Sequence, residues 1–211
     1  MIITDIQQQK KNQKRYSVFI DGQFAFGITD IDLLFYKLEP GKELTQEKYD
    51  EIFENLLYEK AKEKALKRLN YKYCTKKEIY DKLSEDYSPE ITQKVIDVLE
   101  KYNYINDMEY AKLYISDSIK LKGWGKQKIK FQLRQKGVPS HIIDLALDNS
   151  TEDYSEKAAS LLLKKFKSAD LNEYTTKQKA YNYLLQRGYS YEDISNALEV
   201  YNQNLYEQRG D

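Results

Sequence analysis

The stretch IKFQLRQKGVPSHIIDLAL at positions 129–147 decides the fold, because it returns in a related form as AYNYLLQRGYSYEDISNAL at positions 180–198. In both copies, apolar residues recur at three- and four-residue steps on either side of a glycine, which predicts two short helices joined by a turn. The matching residues are Ile129 with Ala180, Leu133 with Leu184, Gly137 with Gly188, Ile143 with Ile194, Ala146 with Ala197, and Leu147 with Leu198. Because the match extends over a whole unit, we interpret it as an internal repeat.

A further copy of the unit precedes these two. Its positions Ala61, Ala65, Leu69, Ile79 and Leu83 correspond to Ala111, Ile115, Ile119, Ile129 and Leu133 of the next copy. Each unit is predicted to contain one long helix and two shorter ones. A unit of this length buries too little apolar surface to be robust alone, so we expect neighbouring units to stack. The predicted divisions are an N-terminal element at 1–57 and three-helix repeats at 58–105, 106–150 and 151–211.

Capping and turn residues mark the predicted helix ends. Thr75–Glu78 has the pattern of a capping box, in which a hydroxyl and a carboxylate satisfy free amides at a helix start, and Ser190–Asp193 is a weaker version of it. Ser88-Pro89 places a cap before a proline at the first helical position. Gly137 and Gly188 stand where a left-handed residue ends a helix.

The first part of the chain has the pattern of a small β element. Tyr16–Ile20 and Phe24–Ile28 are apolar-rich runs separated by Asp21-Gly22, a dipeptide that accepts the positive φ angles of a tight hairpin turn. Because a lone hairpin is marginal in water, we expect a third strand. The residues that can form it are Ile2, Ile3 and Ile6.

Loops and helices follow from the remaining N-terminal pattern. The polar, basic residues at 7–15 have no apolar period, so we interpret them as a solvated strand edge or a loop. A short helix is predicted over Ile31–Lys37 and ends before Pro40-Gly41, a turn signal. After Thr45 the apolar residues recur at helical steps.

Charge and composition exclude several functional classes. Equal numbers of basic and acidic side chains, 34 of each, leave a formal net charge of zero, so no whole-protein field attracts nucleic acid. A charged fraction of 32% and a mean hydropathy of -0.79 favour an elongated chain of small cores over one large core. No stretch approaches about 18 consecutive apolar residues, and the start has no signal-peptide pattern. We therefore expect a cytoplasmic protein.

Reactive side chains are scarce. Cys74 is the only cysteine and His141 the only histidine, which leaves no disulfide and no zinc ligand set. Gly123–Gly125 is the nearest approach to a phosphate-binding loop, but it lacks the preceding strand and the third glycine. Asp107 and Glu109 occupy a predicted helix start, where acids favour the helix dipole. We predict no catalytic residue, no metal site and no cofactor, and hence a protein that acts by binding.

One segment has an unusual charge pattern. No acidic residue lies between Ser118 and Ile143, although basic side chains are frequent there. The candidate partner-binding residues are Lys120, Lys122, Trp124, Lys126, Lys128, Lys130, Arg134 and Lys136. A basic surface with an aromatic side chain fits phosphates or an acidic protein groove, and a merely solvated helix face is the alternative. A second basic group, Lys10, Lys11, Lys14 and Arg15, is explained equally well by lysines that protect an edge strand.

Three motifs resemble those of a known family. Tyr104–Ala111 (YINDMEYA) is followed by Lys122–Lys126 (KGWGK) and Leu133–Val138 (LRQKGV). Together they resemble the central motif of RecX proteins, which regulate the bacterial recombinase RecA. The β-rich leader and the turn PGKELT at 40–45 resemble the longer RecX forms of low-GC Gram-positive bacteria, so the resemblance covers the whole chain. Asn103 stands where the family often has glycine, but asparagine tolerates the left-handed conformation.

The resemblance implies a mainly α protein whose three tandem three-helix repeats form an elongated, curved molecule. It implies binding along or within the groove of the RecA–DNA filament, where single- or double-stranded DNA is a second candidate partner. The implied effect is mainly inhibition of filament growth, ATP hydrolysis and strand exchange, in the regulation of recombination, DNA repair and the SOS response. We expect a monomer that does not bind membranes.

Two functional hypotheses follow. In the first, Lys126, Lys130 and Arg134 of the second repeat face the filament or its DNA. In the second, the chain is a helix-turn-helix-like repeat protein that binds DNA directly as a transcription factor. The zero net charge and the lower concentration of basic residues in the first and third repeats count against the second hypothesis. Binding of plain duplex DNA at physiological salt discriminates between them.

Overall fold

A computed structural model describes residues 1–10, 12–167, 169–171 and 173–209, of which Asn12 and residues 205–209 are described by their backbone alone. The described part begins with an antiparallel sheet of strands β1 (Ile3–Gln9), β2 (Asn12–Ile20) and β3 (Gln23–Thr29), in that order. The predicted hairpin turn is confirmed, because Asp21 and Gly22 both have positive φ angles, of 48° and 80°. The predicted third strand is confirmed as β1.

The polar stretch at 7–15 follows the first of its two interpretations, a strand edge, and not the loop. Most of its described residues continue the two strands, since Gln8 pairs with Tyr16 and Gln9 with Asn12. The side chain of Gln8 also donates a hydrogen bond of 2.7 Å to the carbonyl of Gln13. Backbone pairing thus extends strands whose side chains carry no apolar signal. Lys11 lies outside the described residues.

A short helix follows the sheet. Helix α1 spans Asp30–Phe35, and the Thr29 hydroxyl caps it by accepting a hydrogen bond of 3.1 Å from the Asp32 amide. The helix ends earlier than the predicted Lys37, because Lys37 itself adopts a left-handed conformation with φ of 51°. Helix α2 then runs unbroken from Gln46 to Tyr71, across the predicted division at residue 57.

The remaining helices follow the predicted order of one long and two shorter helices in the second repeat, whereas the last helix of the third repeat is its longest, with 19 residues. Their bounds are α3 Lys76–Ser84, α4 Pro89–Lys101, α5 Asp107–Lys120, α6 Lys126–Gln135, α7 Ser140–Asp148, α8 Tyr154–Phe166, α9 Tyr174–Leu185 and α10 Tyr191–Arg209. The end of α2 with α3 and α4, then α5–α7, and then α8–α10 form the first, second and third repeats. The prediction of a mainly α fold with three-helix repeats and a small N-terminal sheet is confirmed.

The chain divides into two compact units. The first contains Met1–Lys72 and Tyr80–Leu99, and the second contains Tyr73–Ile79 and the residues from Glu100 onward. In the first unit, one face of the sheet packs its apolar side chains on the start of α2. The buried residues there are Ile3, Val18, Ile20, Phe26, Ile28, Leu38, Leu44 and Ile52.

Each repeat of the second unit has its own core. In the second repeat the seam predicted from the sequence is buried, with Ile129 and Leu133 of α6 facing Ile143 and Leu147 of α7. The corresponding residues of the third repeat, Ala180, Leu184, Ile194 and Leu198, are buried in the same way. The periodic residues therefore mark the buried helix faces.

The predicted helix ends are also confirmed. The Thr75 amide donates to a Glu78 carboxylate oxygen over 3.2 Å, and the Glu78 amide donates to the Thr75 hydroxyl over 3.1 Å, which completes a capping box. Ser190 and Asp193 exchange the same two bonds at 3.0 and 3.1 Å. Asn103 has the left-handed conformation expected of it, with φ of 58°.

The second unit contains two joints between repeats, built in the same way. At the first joint, the Thr75 hydroxyl donates a hydrogen bond of 2.8 Å to the carbonyl of Lys136, beside Gly137. At the second joint, the Gly125 amide donates over 2.8 Å to the carbonyl of Arg187, beside Gly188. In both, the turn after the second helix of one repeat lies against the start of the second helix of the preceding repeat.

Candidate partner-binding surface

The predicted binding residues lie at the end of α5, in the α5–α6 loop and along α6. Lys120 is in the last turn of α5, and Lys136 is the C-cap of α6. Lys122 and Trp124 occupy the loop between them. The structure therefore gathers the predicted residues in the second repeat, but it divides them between two surfaces with different surroundings.

The first surface faces α7. Lys126 lies 3.5 Å from Asp148, and Lys130 lies 2.5 Å from Asp144, so lysines four residues apart meet carboxylates four residues apart on the antiparallel helix. A hydrogen bond from Lys130 lowers the pKa of the Asp144 carboxyl, and the charge of Arg134 acts in the same direction. The segment that has no acidic residue in sequence is thus compensated by acids from the following helix.

Two further residues border this α7-facing surface. Lys120 lies 3.6 Å from the Glu152 carboxylate, another acid from outside the basic segment. Arg134 is exposed, and its guanidinium makes no side-chain hydrogen bond or ion pair within the described residues. Arg134 is therefore the predicted residue whose charge is most available to a partner.

The second surface consists of lysine ammonium groups that lie close to aromatic rings. We name it the ladder, and it begins at the first joint. The rings of Tyr110 and Tyr114 stack with centroids 6.1 Å apart, and the Lys136 ammonium lies 5.7 Å and 5.8 Å from them. Lys136 also forms an ion pair of 3.1 Å with Glu78. Burial alone would lower the pKa of Lys136, but its bonds to Tyr110 and Glu78 raise it, so the lysine stays charged.

The ladder continues toward the second joint. Lys122 lies 5.1 Å from the ring of Tyr114 and 4.4 Å from that of Trp124, and Lys128 lies 5.1 Å from Trp124. The Lys128 ammonium also donates a hydrogen bond of 3.3 Å to the carbonyl of Gln186 in the third repeat. Trp124 is half-buried between these two lysines. Its ring packs against the core of the second repeat, and its contact with a partner remains a prediction.

Sequence reasoning missed several residues of these surfaces. The sequence contains a signal for the role of Asp144 and Asp148, because their four-residue spacing matches that of Lys126 and Lys130. Tyr110 and Tyr114 have the same spacing on α5, but nothing local indicates that lysines from another helix lie over their rings. We found no sequence signal for the contact between Lys136 and Glu78, which come from different repeats.

The other reactive residues have structural surroundings. Cys74 is buried, and His141 is exposed on α7. Asp107 accepts a hydrogen bond of 2.9 Å from the Lys76 amide, and burial raises the pKa of its carboxyl. Among the described residues, no three His, Cys, Asp or Glu side chains are grouped so that they could hold a metal ion. No helix in the described ranges has the length and apolar character needed to cross a membrane.

Family models match the chain along most of its length. They are described as the regulatory protein RecX N-terminal domain, at residues 1–45, and as the first, second and third three-helix domains of RecX, at 61–99, 106–147 and 152–198. The model of the second three-helix domain thus includes the whole predicted basic segment.

Similar proteins agree with this match. The regulatory protein RecX of Clostridium beijerinckii is 35% identical over 202 residues, which cover 93% of this chain and 94% of the relative. That of Clostridium acetobutylicum is 35% identical over 96% of this chain and 97% of the relative. A crystal structure of a regulatory protein RecX superposes with a TM-score of 0.71 at 28% identity, covering 96% of this chain and 98% of that one. RecX from Lactobacillus salivarius superposes with a TM-score of 0.63 at 28% identity, over 70% of this chain and 97% of that one.

Proposed function

Because the chain belongs to the RecX family, we propose that it binds the filament of the RecA recombinase and mainly inhibits it, lowering filament growth, ATP hydrolysis and strand exchange. The observation that carries the proposal is the match to the RecX domains in order, in a chain whose relatives are named regulatory proteins. Binding, not catalysis, is the proposed mode of action. A repeat array suits this role, since weak contacts made by linked repeats add to one another.

The proposed contact residues are Arg134, Lys126 and Lys130 on the α7-facing surface. Arg134 is exposed and makes no ion pair within the described residues, and the ion pairs of the two lysines are partly exposed. Exposed ion pairs contribute only about 0–1 kcal/mol, so exchanging Asp144 or Asp148 for a phosphate or carboxylate of the partner costs little. The ladder residues Lys128 and Lys136 are proposed instead to support the surface by holding the joints, and Lys122 by its contacts with Tyr114 and Trp124.

Direct binding of free DNA is the less well supported function. Carboxylates lie within 4 Å of Lys120, Lys126, Lys130 and Lys136, so much of the positive charge counted in the sequence is compensated. Phosphate contacts by basic side chains provide most of the affinity in non-specific DNA binding. We therefore expect weak binding to plain duplex DNA at physiological salt, and tight sequence-specific binding would favour the transcription-factor hypothesis.

The test of the proposed function is the ATPase activity of a RecA filament on single-stranded DNA, with this protein titrated in. We expect ATP hydrolysis to fall. A fall at substoichiometric amounts indicates binding at filament ends, whereas a fall only near saturation indicates occupancy of the groove. Unchanged hydrolysis together with no binding to the filament would refute the proposal.

Replacing Lys126, Lys130 and Arg134 together by alanine is expected to weaken inhibition by about tenfold, because three charges at the proposed contact are lost. The same variant should show a smaller dependence of binding on salt. The matched control replaces Lys164, Lys177 and Lys179, exposed lysines of the third repeat, and changes the net charge equally. Equal inhibition by the two variants would remove this surface from the interface.

Replacing Asp144 and Asp148 by asparagine is expected to act in the opposite direction. The change releases Lys126 and Lys130 from their ion pairs and should tighten filament binding by roughly threefold, since each exposed pair contributes less than about 1 kcal/mol. Changing Glu156 and Glu192 to glutamine alters the net charge by the same amount elsewhere and is the control. Weaker binding by the aspartate variant, measured by filament co-sedimentation, would contradict the proposed contact.

A further inference from the structure

The second joint lacks the ion pair that closes the first joint. At the first joint, the Lys136 ammonium pairs with the Glu78 carboxylate over 3.1 Å. In the next copy of the repeat, Arg187 stands at the position of Lys136, directly before the turn glycine. Lys128 stands at the position of Glu78. Both positions are therefore basic at the second joint, where two like charges replace a pair of opposite charges.

The structure places both basic residues at this joint. The Lys128 ammonium donates a hydrogen bond of 3.3 Å to the carbonyl of Gln186, the residue before Arg187. The Arg187 carbonyl accepts a hydrogen bond of 2.8 Å from the Gly125 amide. The Arg187 side chain is half-buried, and its Nε is buried with no hydrogen-bond partner in the described part of the chain. A charged donor without an acceptor costs free energy, which an anion bound to the guanidinium would offset.

Lys165 of α8 adds a third cation. Its ammonium and the Arg187 guanidinium each lie 3.9 Å from the centroid of the Tyr183 ring. Cations are attracted to the face of an aromatic ring, so this ring holds two like charges near each other although they repel. Lys165 is exposed, which leaves its ammonium accessible to a ligand.

The loop between α5 and α6 brings a fourth cation to the joint. Burial raises the pKa of Tyr189, and the nearby charge of Arg187 opposes this rise. The same phenol donates a hydrogen bond of 3.4 Å to the carbonyl of Gly123, the residue after Lys122. The guanidinium and the loop that carries Lys122 are therefore both close to the Tyr189 hydroxyl.

The acidic residues of this region are engaged elsewhere. The Asp193 carboxylate adds to the burial that raises the pKa of Tyr189, but it accepts hydrogen bonds of 3.0 and 2.6 Å from the amide and hydroxyl of Ser190. Glu152 lies 3.6 Å from Lys120. Within the described residues, no carboxylate forms an ion pair with the cations of the second joint, which are Lys122, Lys128, Lys165 and Arg187. The joint is therefore locally positive in a chain with a net charge of zero.

We infer that the second joint binds a phosphate group between Arg187 and Lys128, with Lys122 and Lys165 beside it. The phosphate takes the place that the Glu78 carboxylate has at the first joint. Arginine donates two parallel hydrogen bonds to phosphate oxygens, and lysines add point charges. A carboxylate carries one charge, whereas a phosphate carries up to two and a nucleic-acid strand presents one after another. Four cations therefore suit phosphate better than a single carboxylate.

Free phosphate and the backbone of a single-stranded nucleic acid present the same oxygens to this site. We expect the backbone, because cations interleaved with aromatic rings are typical of proteins that bind single strands. Cations already lie against the rings of Trp124 and Tyr183, so we expect contacts to the backbone and no sequence preference. The inference does not depend on the proposed binding to the recombinase, since the chain is tested alone.

The first test measures whether phosphate stabilises the joint. The midpoint of urea unfolding, followed by Trp124 emission, is measured in sodium phosphate and in sodium chloride of equal ionic strength and pH. The wild type is compared with Lys128→Glu, which recreates the ion pair of the first joint and so supplies the missing anion from within the chain. We expect the phosphate-dependent rise in the midpoint to be at least about twofold smaller in the variant.

A second variant and a control separate binding from general effects. Arg187→Gln leaves Lys128 in place, removes the guanidinium charge and should lose the same rise. Lys164→Glu makes the charge change of Lys128→Glu at an exposed lysine of α8 and should keep the rise. Phosphate also stabilises proteins by exclusion from their surfaces, but that effect is common to all variants. Equal rises in the wild type, Lys128→Glu and Arg187→Gln would overturn the inference.

The second test identifies the source of the phosphate. A labelled single strand of about ten thymidines is titrated at about 50 mM salt, and binding is measured by fluorescence anisotropy. Lys128→Glu should bind it at least about tenfold more weakly than the wild type, and Lys164→Glu nearly as well. If the site variants lose the phosphate-dependent rise but bind the strand like the wild type, the site takes free phosphate. A glutamate peptide that raises the wild-type midpoint as much as phosphate, at equal charge, would indicate a carboxylate site and overturn the inference.

Discussion

Replacing Gly188 by alanine is expected to open the second joint and to lower the free energy of unfolding of the second unit by about 3 kcal/mol. The φ angle at this residue is 83°, and an L-residue in the left-handed region costs about 1–2 kcal/mol. A Cβ atom here would lie 2.3 Å from the Lys128 amide nitrogen and 2.5 Å from the Lys128 Cβ, closer than non-bonded atoms approach. The backbone must therefore move, which would disrupt the 3.0 Å hydrogen bond from the Gln127 amide to the Gly188 carbonyl.

Urea unfolding followed by circular dichroism and by fluorescence measures this effect. Trp124 is the only tryptophan of the chain and lies beside the second joint, between Lys122 and Lys128, so its emission reports on the joint. Loss of the joint should also weaken filament inhibition, since the third repeat would no longer be held against the second.

Gly41→Ala is the matched control for Gly188→Ala. Gly41 has nearly the same φ angle, 84°, but a Cβ atom there meets nothing within 4 Å. The control therefore carries the conformational cost without the steric one, and it should lower the free energy of unfolding of the first unit, which contains Gly41, by about 1–2 kcal/mol. An equal loss in both variants would mean that the close approach of Gly188 to α6 contributes nothing.

Local features of the sequence were sufficient to predict the repeat and its helix ends. The turn at Gly137, the capping box at Thr75 and the hairpin at Asp21-Gly22 each depend on residues within a few positions of one another, so their conformations follow from short-range sterics and hydrogen bonds. The buried seam of α6 and α7 was predictable as well, because the period of the apolar residues identifies the face of a helix that is buried.

The surroundings of the basic segment could not be predicted in the same way. The four-residue spacing of Asp144 and Asp148 allows a match with Lys126 and Lys130. Whether Lys130 meets Asp144 or solvent depends on the rotation of α6 and α7 about their axes, which packing decides. The cation positions around Trp124 depend on the second joint, where residues of the third repeat meet those of the second. Likewise, the apolar pattern of α1 predicts a helix but does not indicate that Phe35 faces solvent. The binding residues therefore remain a prediction, and their neighbours come from the structure.

Raising the pH above about 10 is expected to destabilise the second unit steeply, because burial raises the phenol pKa strongly at two of its tyrosines, Tyr154 and Tyr189. Burial raises the pKa of Tyr154 to about 12, with the charges of Asp193 and Glu152 acting in the same direction. Burial also raises the pKa of Tyr189 strongly, despite the nearby charge of Arg187. Both phenols are therefore neutral in the folded chain at a pH where an exposed tyrosine ionises, near 10.

The sign of the pH effect follows from these directions. A phenol whose pKa is higher in the folded than in the unfolded state contributes its full stability below pH of about 10, and this stability is lost as the pH rises toward the folded pKa. Above pH of about 10, each tyrosine lowers the free energy of unfolding by about 1.4 kcal/mol per pH unit. The two together should therefore lower it by roughly 3 kcal/mol at about pH 11. The midpoints of urea unfolding at about pH 8 and about pH 11 measure this change in the free energy of unfolding.

A double replacement isolates the two phenols from the other groups that titrate in this range. Lysines lose charge near the same pH, but they do so in every variant, so the comparison between variants cancels their contribution. The variant with Tyr154→Phe and Tyr189→Phe should lose less unfolding free energy between the two pH values than the wild type does. At both pH values it also lacks the 3.4 Å hydrogen bond from the Tyr189 hydroxyl to the Gly123 carbonyl. Tyr71→Phe with Tyr174→Phe, at two exposed positions, should leave the loss unchanged. If both pairs gave the same pH dependence, buried neutral tyrosines would not be what limits the alkaline stability of the repeats.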